Sequence, residues 1–210
     1  MPRILITSGP TRQYLDPVRY LTNASSGRMG SALASAALEF GHEVIVISGP
    51  VAIEYPDGAT VVPVVSTEEM LRSAVDTFQD CDGLISAAAP CDYRPHHVKS
   101  NKIAKTGEPL PLQLEETDDV VATLGAEKGR RWVVGFALET EDHRLRALAK
   151  LERKCCDLIV SNGVQAMNAR DNHVEILDAS GNVLKQSEGT KEFVAREIMA
   201  VIEQRLVGSS

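Results

Sequence analysis

At 210 residues, 43% hydrophobic and 24% charged, the chain has the composition of an ordinary soluble globular protein, long enough for one sizeable core. No apolar run approaches the ~18 residues of a membrane-spanning helix, and Met1 runs almost directly into the first strand, so neither a membrane segment nor a signal peptide is expected. The net charge of −7 argues against non-specific nucleic-acid binding, so an anionic ligand would have to be held by local basic clusters.

In chain order the elements alternate strand and helix. Arg3 to Ser8 is a buried strand closing on Gly9-Pro10, and Met29 to Phe40 is an Ala-rich helix stopped by Gly41. Glu43 to Ser48 and Thr60 to Val65 are the next strands, and Thr67 starts a helix with Glu69 placed as in a capping box. Gly83 to Ala88 and Trp132 to Ala137 follow as strands, then a helix from Glu141 to Lys154 and a strand from Asp157 to Val160. Val174 to Leu177, a turn over Asp178 to Asn182, and Val183 to Gln186 read as a β-hairpin, and a helix from Thr190 to Leu206 closes the chain. The pattern predicts an α/β, Rossmann-like three-layer sandwich: a mostly parallel sheet with helices on both faces, plus the C-terminal hairpin and closing helix. No linker divides it, so 1–210 is expected to form one domain.

Two segments do not fit a compact sheet. Asp16 to Gly30 separates the first strand from the first helix, where a dinucleotide fold has a tight glycine turn. It carries an amide, three aliphatic hydroxyls and two arginines just before a helix N-terminus, which suits an anion-handling loop. Asp92 to Thr117 lacks helical periodicity, holds three prolines, and places Arg94, Lys99, Lys102 and Lys105 between Asp92 and its next acid, Glu108. In an acidic protein this reads as an anion-binding flap, although a solvated basic loop also fits. Arg146, Lys150 and Lys154 are spaced to share one helix face, and the helix dipole by itself would account for Lys154.

Cys81, Cys91, Cys155 and Cys156 form no Cys-x-x-Cys pair, which points to a reducing, cytoplasmic setting without a disulfide framework. Cys91 reads as a small buried thiol, and the five histidines as surface residues with no metal-ligand spacing.

Six motifs occur together and in order: Ser8-Gly9-Pro10-Thr11, Asp16-Pro17-Val18-Arg19-Tyr20, Asn23 through Gly30, Ser48-Gly49-Pro50, Asp92-Tyr93-Arg94 with Asn101 through Lys105, and Val134 through Glu139. Their string resembles phosphopantothenoylcysteine synthetase of the bacterial type over essentially the whole chain. The resemblance implies a ligase of coenzyme A biosynthesis. CTP activates the carboxylate of 4′-phosphopantothenate as an acyl-cytidylate, and cysteine then forms the amide with release of CMP.

Carried over by position, Asn23 is the residue that turns over the acyl-nucleotide, and Arg19 a partner of the acyl-phosphate region. Lys102 is the flap lysine that closes on the triphosphate, with Lys105 a second. Ser25, Ser26 and Gly27 cradle the substrate phosphate. Gly9, Ala88, Asp92, Asp119, Phe136, Lys150 and Lys154 join Lys102 as nucleotide-binding positions. Mg²⁺ is expected with the triphosphate, its ligands unassigned. The resemblance also implies a homodimer, to which the Val174 to Gln186 hairpin would contribute. The flavin-dependent decarboxylase domain that many bacterial relatives carry is absent from this sequence, so no FMN is expected.

Thr117-Asp118-Asp119-Val120 stands where many members have Asn-Pro-Asp-Ile, and Cys91 where a small apolar residue is common. Two other readings remain open. An NAD(P)-dependent oxidoreductase would use Gly27-x-x-Gly30-x-x-x-Ala34, but those glycines lie far from the strand and Ser48-Gly49-Pro50 offers no acid for a ribose. A non-catalytic nucleotide-binding module of the same fold would leave Asn23 and Lys102 without a task.

Overall fold

The computed structural model describes residues 1–139, 143–163 and 172–208. Among these, the main sheet has eight strands: β1 (Arg3–Ser8), β4 (Glu43–Ser48), β5 (Thr60–Pro63), β6 (Gly83–Ser86), β9 (Trp132–Glu139), β10 (Leu158–Gly163), β11 (Asn172–Asp178) and β12 (Val183–Gly189). Their order is β12-β11-β10-β9-β6-β1-β4-β5. Neighbours from β5 to β10 run parallel, and β11 and β12 add antiparallel at one edge. The expected fold class holds, and the C-terminal hairpin extends the main sheet.

The three layers follow from alternation along buried strands. Ile4 and Ile6 of β1 face the core under α1 (Arg28–Glu39) and α5 (Lys191–Ile202), with Val44, Val46 and Val134. Leu5, Ile47 and Leu84 face the opposite core under α2 (Thr67–Phe78), α3 (Val120–Ala126) and α4 (His143–Arg153). The anticipated capping box is present: Ser66 accepts from the Glu69 N–H, and the Glu69 carboxylate reaches back to the Ser66 N–H. A π-helical turn, Glu203–Val207, ends the closing helix.

The differences from the expected elements are local. α3 was not foreseen, because seven residues led by two valines carry too little 3.6-residue periodicity. β2 (Arg12–Tyr14) pairs with β3 (Tyr20–Thr22) inside the first insert, and β7 (Tyr93–Pro95) pairs with β8 (Leu114–Glu116) at the root of the flap. Three residues are too few to show alternation. α4 ends at Arg153, one residue short of Lys154, and the expected start at Glu141 lies outside the described residues.

Candidate active site

The parallel order reverses between β1 and β6, since β4 pairs with one side of β1 and β6 with the other. Strand ends at such a switch point leave a crevice between diverging loops. Thr7 and Ser86 hydroxyls pin the two strands there at 3.1 Å. Two adjoining cavities open at this edge. One, of about 750 Å³, is bounded by the insert ahead of α1, the exit of β6 and the start of α5. The other, of about 440 Å³, lies between the exit of β6, the flap root and α3. Both are walled by Ala88, Pro90, Asp92 and Phe136.

The larger cavity holds Asn23, Ser25, Ser26 and Gly27 together with Lys150. α1 begins at Gly27 in the left-handed region, φ 75°, with no side-chain cap and no acid in its first turn. Its first N–H groups are therefore not taken up by a capping side chain, the condition for anion binding at a helix start. Small residues set this geometry. A Cβ on Gly30 would stand 2.0 Å from the Ser8 hydroxyl oxygen. That hydroxyl donates to the Gly27 carbonyl at 3.3 Å and accepts from Tyr55 at 2.8 Å. Asn23 bridges the insert to the exit of β6, its amide donating to Pro90 O at 2.8 Å and Ala89 O at 3.3 Å. To donate to an oxyanion, Asn23 has to give up one of these carbonyls.

The smaller cavity holds Asp119 and Lys154, paired at 3.0 Å. Asp119 also caps α3 by accepting from the Ala122 N–H. Burial opposes its charge, but the Ala122 bond and Lys154 outweigh it and hold the carboxyl below its ordinary pKa. Thr117 closes the flap root. Its N–H bonds Asp92 O at 2.9 Å, and its hydroxyl bonds Cys91 O at 2.7 Å. Thr11 and Thr67 hold the same segment through the Cys91 N–H and carbonyl. The Cys91 thiol is buried, and burial followed by Asp92 raises its pKa, so it stays protonated and a poor nucleophile.

Three expected site residues lie apart from the cavity walls. Gly9, φ 75°, shapes the crevice floor: its carbonyl accepts from the Ala89 N–H at 2.9 Å. Arg19 is held by Asp16 and the Ile103 carbonyl. Lys102 sits exposed on the flap beyond both cavities. Arg94, grouped with the flap cations on sequence, is a strut instead, bonded to Glu68 and Glu115 at 2.8 Å each.

Arg28, one of the two arginines of the first insert, lines the larger cavity, and sequence reasoning missed three further polar residues there: Asn162, Asn172 and Lys191. Lys191 donates to Asn172 Oδ1 at 2.9 Å. Asn172 is 2% exposed, and among the described residues its Nδ2 has no partner, nor has Asn162 Oδ1. Burial, then Arg28, lowers the pKa of Lys191, so a bound anion would relieve both effects. Asn162 stands at the carboxyl end of a parallel strand and was legible on that ground. Asn172 and Lys191 meet only through the folded hairpin, and no local pattern signals them.

The sequence matches the family described as the DNA/pantothenate metabolism flavoprotein C-terminal domain over residues 2–206. A Bacillus subtilis protein named coenzyme A biosynthesis bifunctional protein CoaBC is 42% identical over 79% of this chain and 41% of its own length. A prokaryotic protein named cysteine/cysteine sulfinic acid decarboxylase is 39% identical over 95% of this chain and 57% of its own. The chain thus spans about half the length of these curated relatives. The crystal structure of the C-terminal domain of a CoaBC protein superposes with a TM-score of 0.83 at 38% identity, covering 99% of this chain and 96% of that one. The match takes in both insertions and every wall of the two cavities: the chain belongs to the DNA/pantothenate metabolism flavoprotein C-terminal domain family.

Proposed function

We propose that the chain is a phosphopantothenate–cysteine ligase of coenzyme A biosynthesis that uses CTP. The observation that carries this reading is the pair of cavities meeting at Ala88, Pro90, Asp92 and Phe136, with Asn23 bonded to that shared wall. One cavity suits the phosphorylated acid and the other the nucleotide, so the carboxylate and the α-phosphate come together where they join. Ser25, Ser26 and the start of α1 take the terminal phosphate, with Arg28 and Lys191 supplying charge that the neutral cradle lacks. Lys154, Asp119 and Phe136 hold the nucleotide side, Asp92 stands at the junction, and Lys150 reaches the nucleotide from the wall of the larger cavity.

Both steps develop negative charge, first at phosphorus and then at the acyl oxygen, so positioned donors are the main catalytic resource. Asn23 serves the second step as a neutral amide donor once it turns from Pro90. Lys102 reaches toward the triphosphate from the flap, and Arg19 supports the acyl-phosphate. Mg²⁺ carried by the nucleotide would neutralise phosphate charge there. Among the described residues no cluster of three or more His, Cys, Asp or Glu forms a metal cage, a pattern that fits a metal carried by phosphates with one or two carboxylates. Asp92, Glu116 and Asp118 are the wall carboxylates besides Asp119 that could hold it.

The active form is proposed to be a homodimer. Exposed apolar side chains gather on the two insertions, Tyr20, Tyr93, Val98, Leu112 and Leu114 among them. The hairpin expected to contribute has β11 paired on both sides within the sheet. Among the described residues no helix is long and apolar enough to cross a membrane.

The test is pyrophosphate release from CTP and from ATP with 4′-phosphopantothenate, with and without cysteine. Cysteine-dependent product with CTP is expected. Product with ATP alone moves the base preference, and no release with either nucleotide overturns the ligase reading.

A further inference from the structure

Asp16 has a role that the cavity walls do not explain. It is the one fully buried carboxylate among the described residues. Its Oδ1 accepts from the Val18 and Arg19 N–H groups, both at 2.8 Å. Its Oδ2 accepts from the Arg19 guanidinium at 2.7 Å and from the Ile103 N–H at 3.0 Å. The same guanidinium nitrogen continues to the Ile103 carbonyl at 3.0 Å. Both backbone groups of one flap residue are thus gripped by a single ion pair lying 84 to 87 residues away in sequence.

A local turn does not need this. The Leu15 N–H already closes the turn onto the Arg19 carbonyl at 2.8 Å. Burying the Asp16 carboxylate is costly in desolvation even with a half-exposed arginine beside it, and the usual return of such a pair is a fixed geometry rather than net stability. What is fixed here is the flap. The Lys99 N–H bonds the Leu15 carbonyl at 3.0 Å, so the flap is fastened at 99 and 103, on either side of Lys102. Farther out, the Glu108 N–H bonds the Thr106 hydroxyl, a contact within the tip itself. Lys102 therefore stands on the clasped part of the flap, and Lys105 beyond it.

We propose that Asp16 is a positioning residue for Lys102: with Arg19 it clasps the backbone at Ile103 and so sets where the lysine meets the nucleotide. The role given to Lys102 rests on the ligase reading, whereas the clasp itself does not. Burial works against the Asp16 charge, but the N–H donors from Ile103, Val18 and Arg19 and the guanidinium prevail, leaving its pKa at about 2, so the clasp is charged at any ordinary pH.

Two measurements test this. Pyrophosphate release is followed for Asp16→Asn, Lys102→Gln and the double variant, and trypsin cleavage at the flap lysines is followed without substrates. Asp16→Asn is expected to slow release about tenfold or more through kcat, as a displaced catalytic group does. The double variant is expected to be no slower than Lys102→Gln, because two residues acting as a unit are non-additive. Cleavage is expected to be faster than in the unsubstituted chain. Should Asp16→Asn fail to fold, Ile103→Pro removes the flap's N–H while Asp16 keeps its other donors, and cleavage is then read at Lys99 and Lys105. Losses that multiply, or unchanged cleavage, overturn the proposal. If the unsubstituted chain releases no pyrophosphate, the ligase reading falls instead, and cleavage alone decides: faster cutting supports the clasp and unchanged cutting overturns it.

Discussion

The two insertions leave neighbouring strands of the sheet, yet they are built in opposite ways. The first, between β1 and α1, is folded into the body. Gly27 and Gly30 lie against Val51 and Ser8, Tyr55 ties the hydroxyls beneath them, and Asn23 is bonded to the exit of β6. The second, between β7 and β8, is anchored by ion pairs at its root and by the clasp at Ile103, with its tip bonded to itself. A phosphate cradle has to be preorganised, because every adjustment on binding subtracts from affinity. A group that meets a triphosphate and later releases pyrophosphate has to move, and with the backbone held at 99 and 103 that movement belongs to the long Lys102 side chain and to the tip beyond it.

The contrast can be broken at the points where each insertion is fixed. The largest effect is expected at Asn23. Asn23→Asp should cut phosphopantothenoylcysteine formation about a hundredfold or more, the scale of a lost oxyanion donor, while acyl-nucleotide accumulates. Normal product yield by chromatography would remove Asn23 from the mechanism. Next come paired glycines. Gly30→Ala drives a methyl to 2.0 Å from the Ser8 hydroxyl oxygen, whereas a Cβ on Gly107 at the flap tip meets nothing within 4 Å. Gly30→Ala should cost about 1–3 kcal/mol in urea unfolding, as overpacking does. Gly107→Ala, at φ 88°, should cost only about 1 kcal/mol. Equal losses would mean the first insertion is no tighter than the second.

Acid sharpens the comparison on a finer scale. The folded pKa of Asp16 is depressed, so its contribution is complete above the ordinary carboxyl range and is lost as pH falls through about 2. A carboxyl-carbon NMR titration should place its midpoint there, and a midpoint near 4 would show the clasp open in solution. The smallest effect belongs to Cys91. Cys91→Ala should keep near-normal turnover, and alkylation at neutral pH should label exposed Cys155 well ahead of Cys81, Cys91 and Cys156. The Cys81 and Cys156 thiols are pushed up to about 11 and about 12, mainly by burial. An inactive Cys91→Ala would make that thiol a participant.

The parallel strands and long helices were legible because their signals are local and repeated: apolar runs bounded by Gly-Pro, a capping box, a stop glycine. The three-residue ribbons and α3 were not, since three residues are too few to show alternation and a seven-residue helix carries too little 3.6-residue period. The cavity residues divide similarly. Ser25, Ser26, Gly27 and Asn23 stand in one recognisable run, and the structure brings them to one wall. Arg94 looked like a ligand because its ion partners, Glu68 and Glu115, are 26 and 21 residues away. Lys191 was invisible because its reason for being there, Asn172, reaches it only when the last strands join the sheet.

That late joining has a consequence for the growing chain. The larger cavity draws on Asn23 near its beginning and on Lys191 close to its end. During synthesis the sheet from β5 to β9 can assemble early, but the far wall of the pocket does not exist until α5 has been made. A ligand that needs this wall therefore binds only after α5 has been made, whereas the smaller cavity, walled by residues up to Ile159, is complete earlier. The first can stabilise a folded site, and only the second can act on a chain still lacking α5.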